Sequence, residues 1–117
     1  MNKILIEISV GELLDKISIL EIKKEKIKDS EKLKFIEDEY IILINQLDQN
    51  VKSDGELNNL FESLKGINAK LWVIEDEKRM CEKNSNFTEN FIKLSRDVHF
   101  LNDDRAKIKE IKEYTKY

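Results

Sequence analysis

Residues 54–83 read DGELNNLFESLKGINAKLWVIEDEKRMCEK, and this stretch decides the fold class. Its apolar residues recur every three or four positions, which is the period of one face of an α-helix. They are Leu57, Leu60, Leu64, Ile67, Leu71 and Ile74. Ser53 and Glu56 match the capping-box pattern, in which two side chains bind backbone N–H groups where a helix starts. The stretch therefore predicts one long amphipathic helix from about residue 54 to residue 83.

The remaining sequence predicts three more helices. Ser9 and Glu12 form a second capping box, which opens a helix over residues 9–28. A three-four apolar spacing predicts helices over residues 31–50 and 87–114 as well. The sequence has no proline and only three glycines, and Gly66 inside the long helix is expected to allow a close helix contact. Long helices with short links fold back on one another. We therefore predict an all-α fold, an antiparallel bundle of about four helices, in one domain over residues 1–117.

The segment before the first predicted helix alternates apolar and other residues with a period of two, which is typical of a strand. Its apolar side is formed by Ile4, Ile6, Ile8 and Val10. A strand without a partner in its own chain tends to pair with another chain. The second helix also carries the extra isoleucines Ile41, Ile42 and Ile44. Together these features predict a homodimer, and the alternative is a short extended segment that lies over the bundle.

The composition limits the classes of partner and the location. The 21 basic and 24 acidic residues give a net charge of −3. Such a near balance argues against nucleic acid and anionic membranes as partners. The longest unbroken apolar stretch, residues 40–44, is too short to cross a bilayer. Cys81 is the only cysteine and favours a reducing compartment, so we expect a cytoplasmic protein.

Arg105 occupies a position on the fourth helix where the helical period predicts an apolar side chain. A buried guanidinium group needs a carboxylate or an anionic ligand. The candidate acidic partners on other helices are, in order of expectation, Glu75, Asp76, Asp15 and Glu21.

Further polar residues lie at helical spacing on three of the predicted helices. Helix 3 carries Asn68, Trp72, Glu75 and Arg79, helix 1 carries Asp15, Ser18 and Glu21, and helix 4 carries Asn102, Arg105 and Lys109. If these helices meet, the groups form one polar layer inside the bundle. The alternatives are structural: Glu75 and Arg79 would form an i,i+4 surface pair, and Arg105 would fix the helix register through a buried salt bridge.

The same pattern predicts a ligand-binding cleft between helices 3 and 4, open to solvent at one end. Its predicted lining is Trp72, Glu75, Arg79, Asn102 and Arg105. Trp72 would supply a flat apolar wall, and the two arginines would recognise an anion with paired N–H donors. No metal site, cofactor or catalytic residue is predicted. His99 is the only histidine, and the sequence contains neither a glycine-rich phosphate loop nor a serine nucleophile motif.

Three stretches of the chain resemble an uncharacterised family of short bacterial and phage proteins, known only as a domain of unknown function. They are residues 6–23 (IEISVGELLDKISILEIK), 71–76 (LWVIED) and 102–109 (NDDRAKIK). The resemblance covers nearly the whole chain and carries no activity. It implies that the three stretches belong together, in agreement with the polar layer.

Two enzyme classes offer alternatives. Residues 12–27 look like the first helix of the all-α chorismate mutases, helical dimers that hold a dicarboxylate between arginines and lysines. Helix 1 has only lysines, such as Lys16 and Lys24, in place of that family's arginines. The all-α nucleotide pyrophosphohydrolases hold magnesium with acidic helices, for which Glu75, Asp76 and Asp103 would be substitutes here, although the paired Glu-Glu-x-x-Glu pattern is missing.

The sequence thus favours a small helical module that binds a small anion or a protein partner, including a second copy of itself. Whether the protein is an enzyme stays open, with a chorismate-mutase-like or a magnesium-dependent pyrophosphohydrolase-like activity as the alternative.

Overall fold

Four α-helices account for most of residues 3–110, which are the residues that the computed structural model describes. They are α1 (Val10–Lys26), α2 (Ser30–Asn50), α3 (Gly55–Lys83) and α4 (Glu89–Lys109), and this part of the chain contains no strand. The predicted all-α bundle of four helices is confirmed, and the helix ends lie within a few residues of the predicted ones. The predicted continuation of the last helix to residue 114 falls outside the described residues.

The helix starts follow from short polar side chains. The Oγ of Ser9 accepts a hydrogen bond from the Glu12 N–H at 3.1 Å, as the capping pattern predicts. At the start of α3 the capping side chain is Asp54, whose Oδ1 accepts from the Leu57 N–H at 2.8 Å. The prediction that Ser53 caps this helix was wrong by one residue, because α3 begins at Gly55 and Asp54 therefore occupies the N-cap position.

Helix α1 is the central helix of the bundle. It packs against α2, α3 and α4, and α3 packs against α4, whereas α2 packs against α1 alone within the described residues. The core therefore lies around α1, where Leu14 and Ile17 are fully buried together with Leu64 of α3. Of the residues in α2, only Ile36 is buried. One side of α2 is thus left open to solvent.

The direction of the helices follows from contacts at the ends of α1. Its first turns contact the last turns of α4, since Glu12 pairs with Lys109 and Asp15 pairs with Arg105. These two helices therefore run antiparallel. Helix α3 runs in the same direction as α1, because Leu14 packs near the start of α3 and Ile22 lies by its later residue Glu75.

The closest approach between two helices occurs at Gly11, where α1 meets the end of α4. A Cβ atom at Gly11 would lie 2.8 Å from the Lys109 Cα and would also overlap the Lys109 carbonyl oxygen. A Cβ at Gly66 would meet nothing within 4 Å. The expectation that Gly66 allows a close contact was wrong, because its position on α3 faces solvent rather than a neighbouring helix.

Residues 3–9 precede α1 and form neither a strand nor a helix. The side chains of Ile4, Leu5 and Ile6 are 84%, 96% and 75% exposed, so this segment does not cover the bundle. The alternative of a segment lying over the bundle is therefore wrong for these residues. No helix in residues 3–110 is long and apolar enough to cross a membrane.

Candidate ligand-binding cleft

A buried ion pair between Asp15 and Arg105 joins α1 to α4. Asp15 is only 2% exposed, although it is a charged residue in the middle of an apolar helix face. The Arg105 Nε donates to Asp15 Oδ1 at 2.8 Å, and the Nη2 donates to Oδ2 at 2.5 Å. This paired geometry is the strongest way in which arginine binds a carboxylate. Arg105 therefore has the acidic partner that the sequence predicts. The preference for Glu75 was wrong, because α4 runs antiparallel to α1 and brings Arg105 against its second turn.

Helix α3 joins the same network through Asn68. This buried residue donates from Nδ2 to Asp15 Oδ1 at 2.8 Å and to the Ser18 Oγ at 2.8 Å. The Ser18 hydroxyl in turn donates to the Asp15 backbone carbonyl at 2.7 Å. Within the described residues no buried side-chain nitrogen or oxygen lacks a hydrogen-bond partner. A fully satisfied polar network of this kind fixes the register of the helices that it joins.

Lys109 extends the network by one turn of α4. Its Nζ lies 3.0 Å from Glu12 Oε1 and 3.8 Å from Asp15 Oδ2. Glu12 was predicted to complete a capping box, and its carboxylate instead pairs with this lysine. The close approach of the two backbones at Gly11 is what places Lys109 within reach of α1.

Opposing effects set the pKa of Asp15. Burial by itself raises the pKa of a carboxyl group, because the charged form loses its hydration. The hydrogen bonds from Arg105 and Asn68 and the positive charges of Arg105 and Lys109 outweigh burial, so the pKa of Asp15 lies below its ordinary value. Asp15 is therefore a carboxylate at neutral pH, and its charge is neutralised inside the protein.

A cleft of about 250 Å³ lies beside this network, where α1, α3 and α4 meet. Its lining includes all five residues that the sequence selects for a ligand site: Trp72, Glu75, Arg79, Asn102 and Arg105. Ile19, Ile22, Asn68 and Leu71 complete the wall. Helix α1 thus contributes apolar residues that the sequence analysis did not include. Binding of a ligand in this cleft stays a prediction.

Trp72 is half-buried in the wall of the cleft. Its ring makes no aromatic stacking or cation–π contact among residues 3–110, whereas Phe91 packs edge-to-face on Phe87 with ring centroids 5.2 Å apart. Trp72 is therefore a side chain that lines the cleft and not a fully buried core residue.

Arg79 and Glu75 lie one turn apart on α3, but they do not form the i,i+4 pair considered above. The Arg79 Nη1 instead lies 2.5 Å from Asp76 Oδ1, in a pair whose side chains are 71% and 57% exposed. The half-buried Glu75 has no hydrogen bond or ion pair with any residue in 3–110. On α4, Asn102 accepts a long contact of 3.5 Å from the Arg105 Nη1. The cleft therefore presents both N–H donors and a free carboxylate.

The predicted polar layer is present only in part, because Trp72, Glu75, Arg79 and Glu21 lie outside its hydrogen-bond network. Asp15, Ser18, Asn68 and Arg105 form a single hydrogen-bond network across three helices. Glu21 belongs to a separate cluster, where it accepts from the Tyr40 hydroxyl at 3.0 Å and from the Lys65 Nζ at 3.0 Å. The reason is that Glu21 lies on the side of α1 that faces α2.

The acidic residues considered as magnesium ligands do not converge. Asp76 pairs with Arg79, and Asp103 on α4 lies 3.6 Å from the His99 Nε2. Residues 3–110 contain no group of three or more histidine, cysteine, aspartate or glutamate side chains placed to hold a metal ion. The pyrophosphohydrolase-like alternative thus has no ligand set in this part of the chain.

A second, larger depression of about 640 Å³ lies on the opposite side of α3 and α4 and is called the outer groove here. Its lining is mainly apolar and includes Ala69, Val73, Ile74, Phe100 and Leu101. None of the residues predicted for the ligand site lines this groove. Apart from Lys70 and Asp97 its lining is apolar, whereas small-ligand sites hold several convergent polar groups.

The fold and the cleft together define a class: a four-helix bundle in which a buried carboxylate–guanidinium network supports a small polar cleft. The chain belongs to the family of unknown function DUF6165, whose family model matches residues 4–116. A search of curated proteins and a search of solved structures gave no match. The family assignment agrees with the resemblance found in the sequence, and it brings no known activity.

Proposed function

We propose that this protein is a small helical module that binds a small anionic compound in the cleft between α1, α3 and α4. The observation that carries the proposal is the convergence of Trp72, Arg79 and Arg105, from two helices, on one solvent-accessible cavity of about 250 Å³. Pockets for drug-sized ligands measure roughly 300–1,000 Å³, so this cleft suits a smaller molecule.

The arginines differ in how they can bind an anion. Arg105 donates hydrogen bonds to the Asp15 carboxylate from Nε and Nη2, and its Nη1 makes only the long contact with Asn102. It therefore keeps donors for a ligand while Asp15 holds its position. Arg79 pairs only with the exposed Asp76, and exposed ion pairs of this type contribute about 0–1 kcal/mol. A ligand carboxylate or phosphate can replace Asp76 as its partner at little cost.

The proposal predicts that pentanoate or inorganic phosphate changes the fluorescence of the single tryptophan, Trp72, in a saturable way. Arg79→Ala should weaken this binding about tenfold, the size expected for loss of one charge-assisted hydrogen-bonded contact. Titration with excitation selective for tryptophan gives the measurement. Arg96→Ala is the matched control, because Arg96 is an exposed arginine that does not line the cleft. Equal binding by both variants, or no response of the wild type, would rule the proposal out.

We also propose that the protein is a homodimer and that two copies of α2 form its centre. Phe35, Ile41 and Ile42 lie on the open side of α2 and are 75%, 57% and 55% exposed. In an antiparallel pair, Lys32 near the start of one α2 would approach Asp48 near the end of the other. A two-fold axis makes one patch complementary to itself, and these opposite charges fit that arrangement.

The dimer proposal predicts a dimer mass in light scattering at micromolar concentration. Ile42→Glu should give a monomer, because it places a carboxylate in the apolar centre of the interface. Ile92→Glu is the matched control, since Ile92 is equally exposed on α4 but lies outside the proposed interface, and this variant should stay dimeric.

Deleting residues 1–8 should weaken the dimer more than it reduces the helix content, because a segment without a partner in its own chain tends to pair with another chain. A monomer mass for the wild type contradicts the proposal.

The cytoplasm is the location that fits this module best. Cys81 is a free and buried thiol. A single thiol without a disulfide partner suits a reducing compartment, which supports this part of the proposal.

A further inference from the structure

We infer that the ligand of the cleft is a zwitterion, a small molecule that carries an ammonium or guanidinium group in addition to its acidic group. This inference rests on the proposed function and extends it. Its basis is that the cleft offers one carboxylate, Glu75, for which residues 3–110 supply no partner.

The charges around the cleft favour a zwitterion over a simple anion. Asp15 and Glu12 balance the charges of Arg105 and Lys109, and Asp76 balances Arg79. Among the charged residues that line the cleft, only Glu75 then lacks a partner of opposite charge in residues 3–110. A ligand with only negative charge would approach an uncompensated carboxylate, which is unfavourable in a partly dehydrated site.

The position of Glu75 suits the recognition of a cation. It is half-buried and lies between Trp72 and Arg79 on one face of α3, since residues three and four apart are neighbours on a helix. A half-buried carboxylate is less hydrated than an exposed one, so pairing with an ammonium group gains more than it would at the surface.

The ring of Trp72 supplies a second element of cation recognition. Tryptophan gives the strongest cation–π contacts of the aromatic residues. No cation among residues 3–110 lies over this ring, whereas Tyr40, Phe91 and Phe100 each have one nearby. A free aromatic face beside a free carboxylate therefore forms the cationic half of the site, and the donors of Arg79 and Arg105 form the anionic half.

The test uses three compounds with the same five-carbon chain: 5-aminopentanoate, pentanoate and pentylamine. The flexible chain lets the two charged ends adopt the spacing of the cleft. Binding to the protein is measured by Trp72 fluorescence. The wild type should bind 5-aminopentanoate about tenfold more tightly than pentanoate, as expected for one additional charge-assisted contact. Glu75→Gln should remove this difference. Glu77→Gln, an exposed residue of α3 that does not line the cleft, should keep it.

The outcomes separate the inference from the proposed function. If the wild type binds pentanoate as tightly as 5-aminopentanoate, the zwitterion inference is wrong and anion binding stands. If pentylamine binds as tightly as 5-aminopentanoate, the acidic group contributes nothing, and both ideas are wrong. Absence of binding by all three compounds also contradicts both. A tenfold preference that persists in Glu75→Gln contradicts the inference, because the preference then has another source.

Discussion

Arg105→Ala is expected to lower the free energy of unfolding by about 3 kcal/mol, because it leaves the carboxylate of Asp15 buried without its main partner. Asp15 is 2% exposed, and the substitution removes the two hydrogen bonds that it accepts from Arg105. Urea unfolding followed by circular dichroism gives the measurement. Arg105→Lys should lose part of this stability, since lysine keeps the charge but not the planar pair of donors.

Arg79→Ala provides the matched control for this prediction. It removes an arginine from an ion pair whose two side chains are mostly exposed, so the loss should stay below about 0.5 kcal/mol. Equal losses for Arg105→Ala and Arg79→Ala would show that the Asp15 pair is as hydrated as a surface pair. A loss below about 0.5 kcal/mol for Arg105→Ala would lead to the same conclusion.

Gly11→Ala and Gly66→Ala should have opposite effects on stability. An alanine Cβ at position 11 overlaps the backbone of Lys109, which cannot move aside like a flexible side chain. Overpacking of this kind costs about 1–3 kcal/mol, and here it also separates α1 from α4. At position 66 the Cβ meets nothing within 4 Å, and alanine favours the helix by about 1 kcal/mol over glycine.

Thermal and urea unfolding of the two glycine variants measure this difference directly. Gly11→Ala should also raise the exchange rate of the amide hydrogens in the last turn of α4, because the Lys109 contacts with α1 weaken there. Stabilisation by both substitutions would mean that α1 and α4 are farther apart at Gly11 than the structure places them.

The helices could be predicted from the sequence because each one encodes its own apolar stripe, and α1, α2 and α3 also encode a polar cap. The stripe of α3 is an example: Leu57, Leu60 and Leu64 are all buried, as the three-four spacing requires. The polar layer could be predicted for a related reason. A charged residue such as Arg105 at a position expected to be apolar needs a partner of opposite charge, and this holds for any arrangement of the helices.

The choice of partners could not be predicted, because it depends on how the helices are placed against one another. Arg105 pairs with Asp15 rather than Glu75 because α4 packs antiparallel to α1, and helical periodicity within α4 carries no information on that register. The role of Gly11 has the same origin. In the sequence it is a glycine near a helix start, and only the approach of Lys109 gives it a packing role.

The open side of α2 could not be predicted from the sequence either. The apolar residues of α2 recur at three-four spacing. Three of them, Leu33, Leu43 and Leu47, are nevertheless only half-buried, because α2 packs against α1 alone within the described residues. A periodic stripe identifies the face that can be buried. It does not tell whether another helix of the same chain covers that face or whether a second copy does.

Binding of a small molecule in the cleft, beside the Asp15–Arg105 pair, can be tested directly by a two-dimensional ¹H–¹⁵N NMR titration with 5-aminopentanoate. The indole N–H of Trp72 and the side-chain amides of Asn68 and Asn102 report on the cleft, whereas the backbone amides of Val73 and Phe100 report on the outer groove. We expect saturable shifts of the three cleft signals with little change in the outer groove. Shifts confined to Val73 and Phe100, or no saturable shift at all, would contradict binding in the cleft.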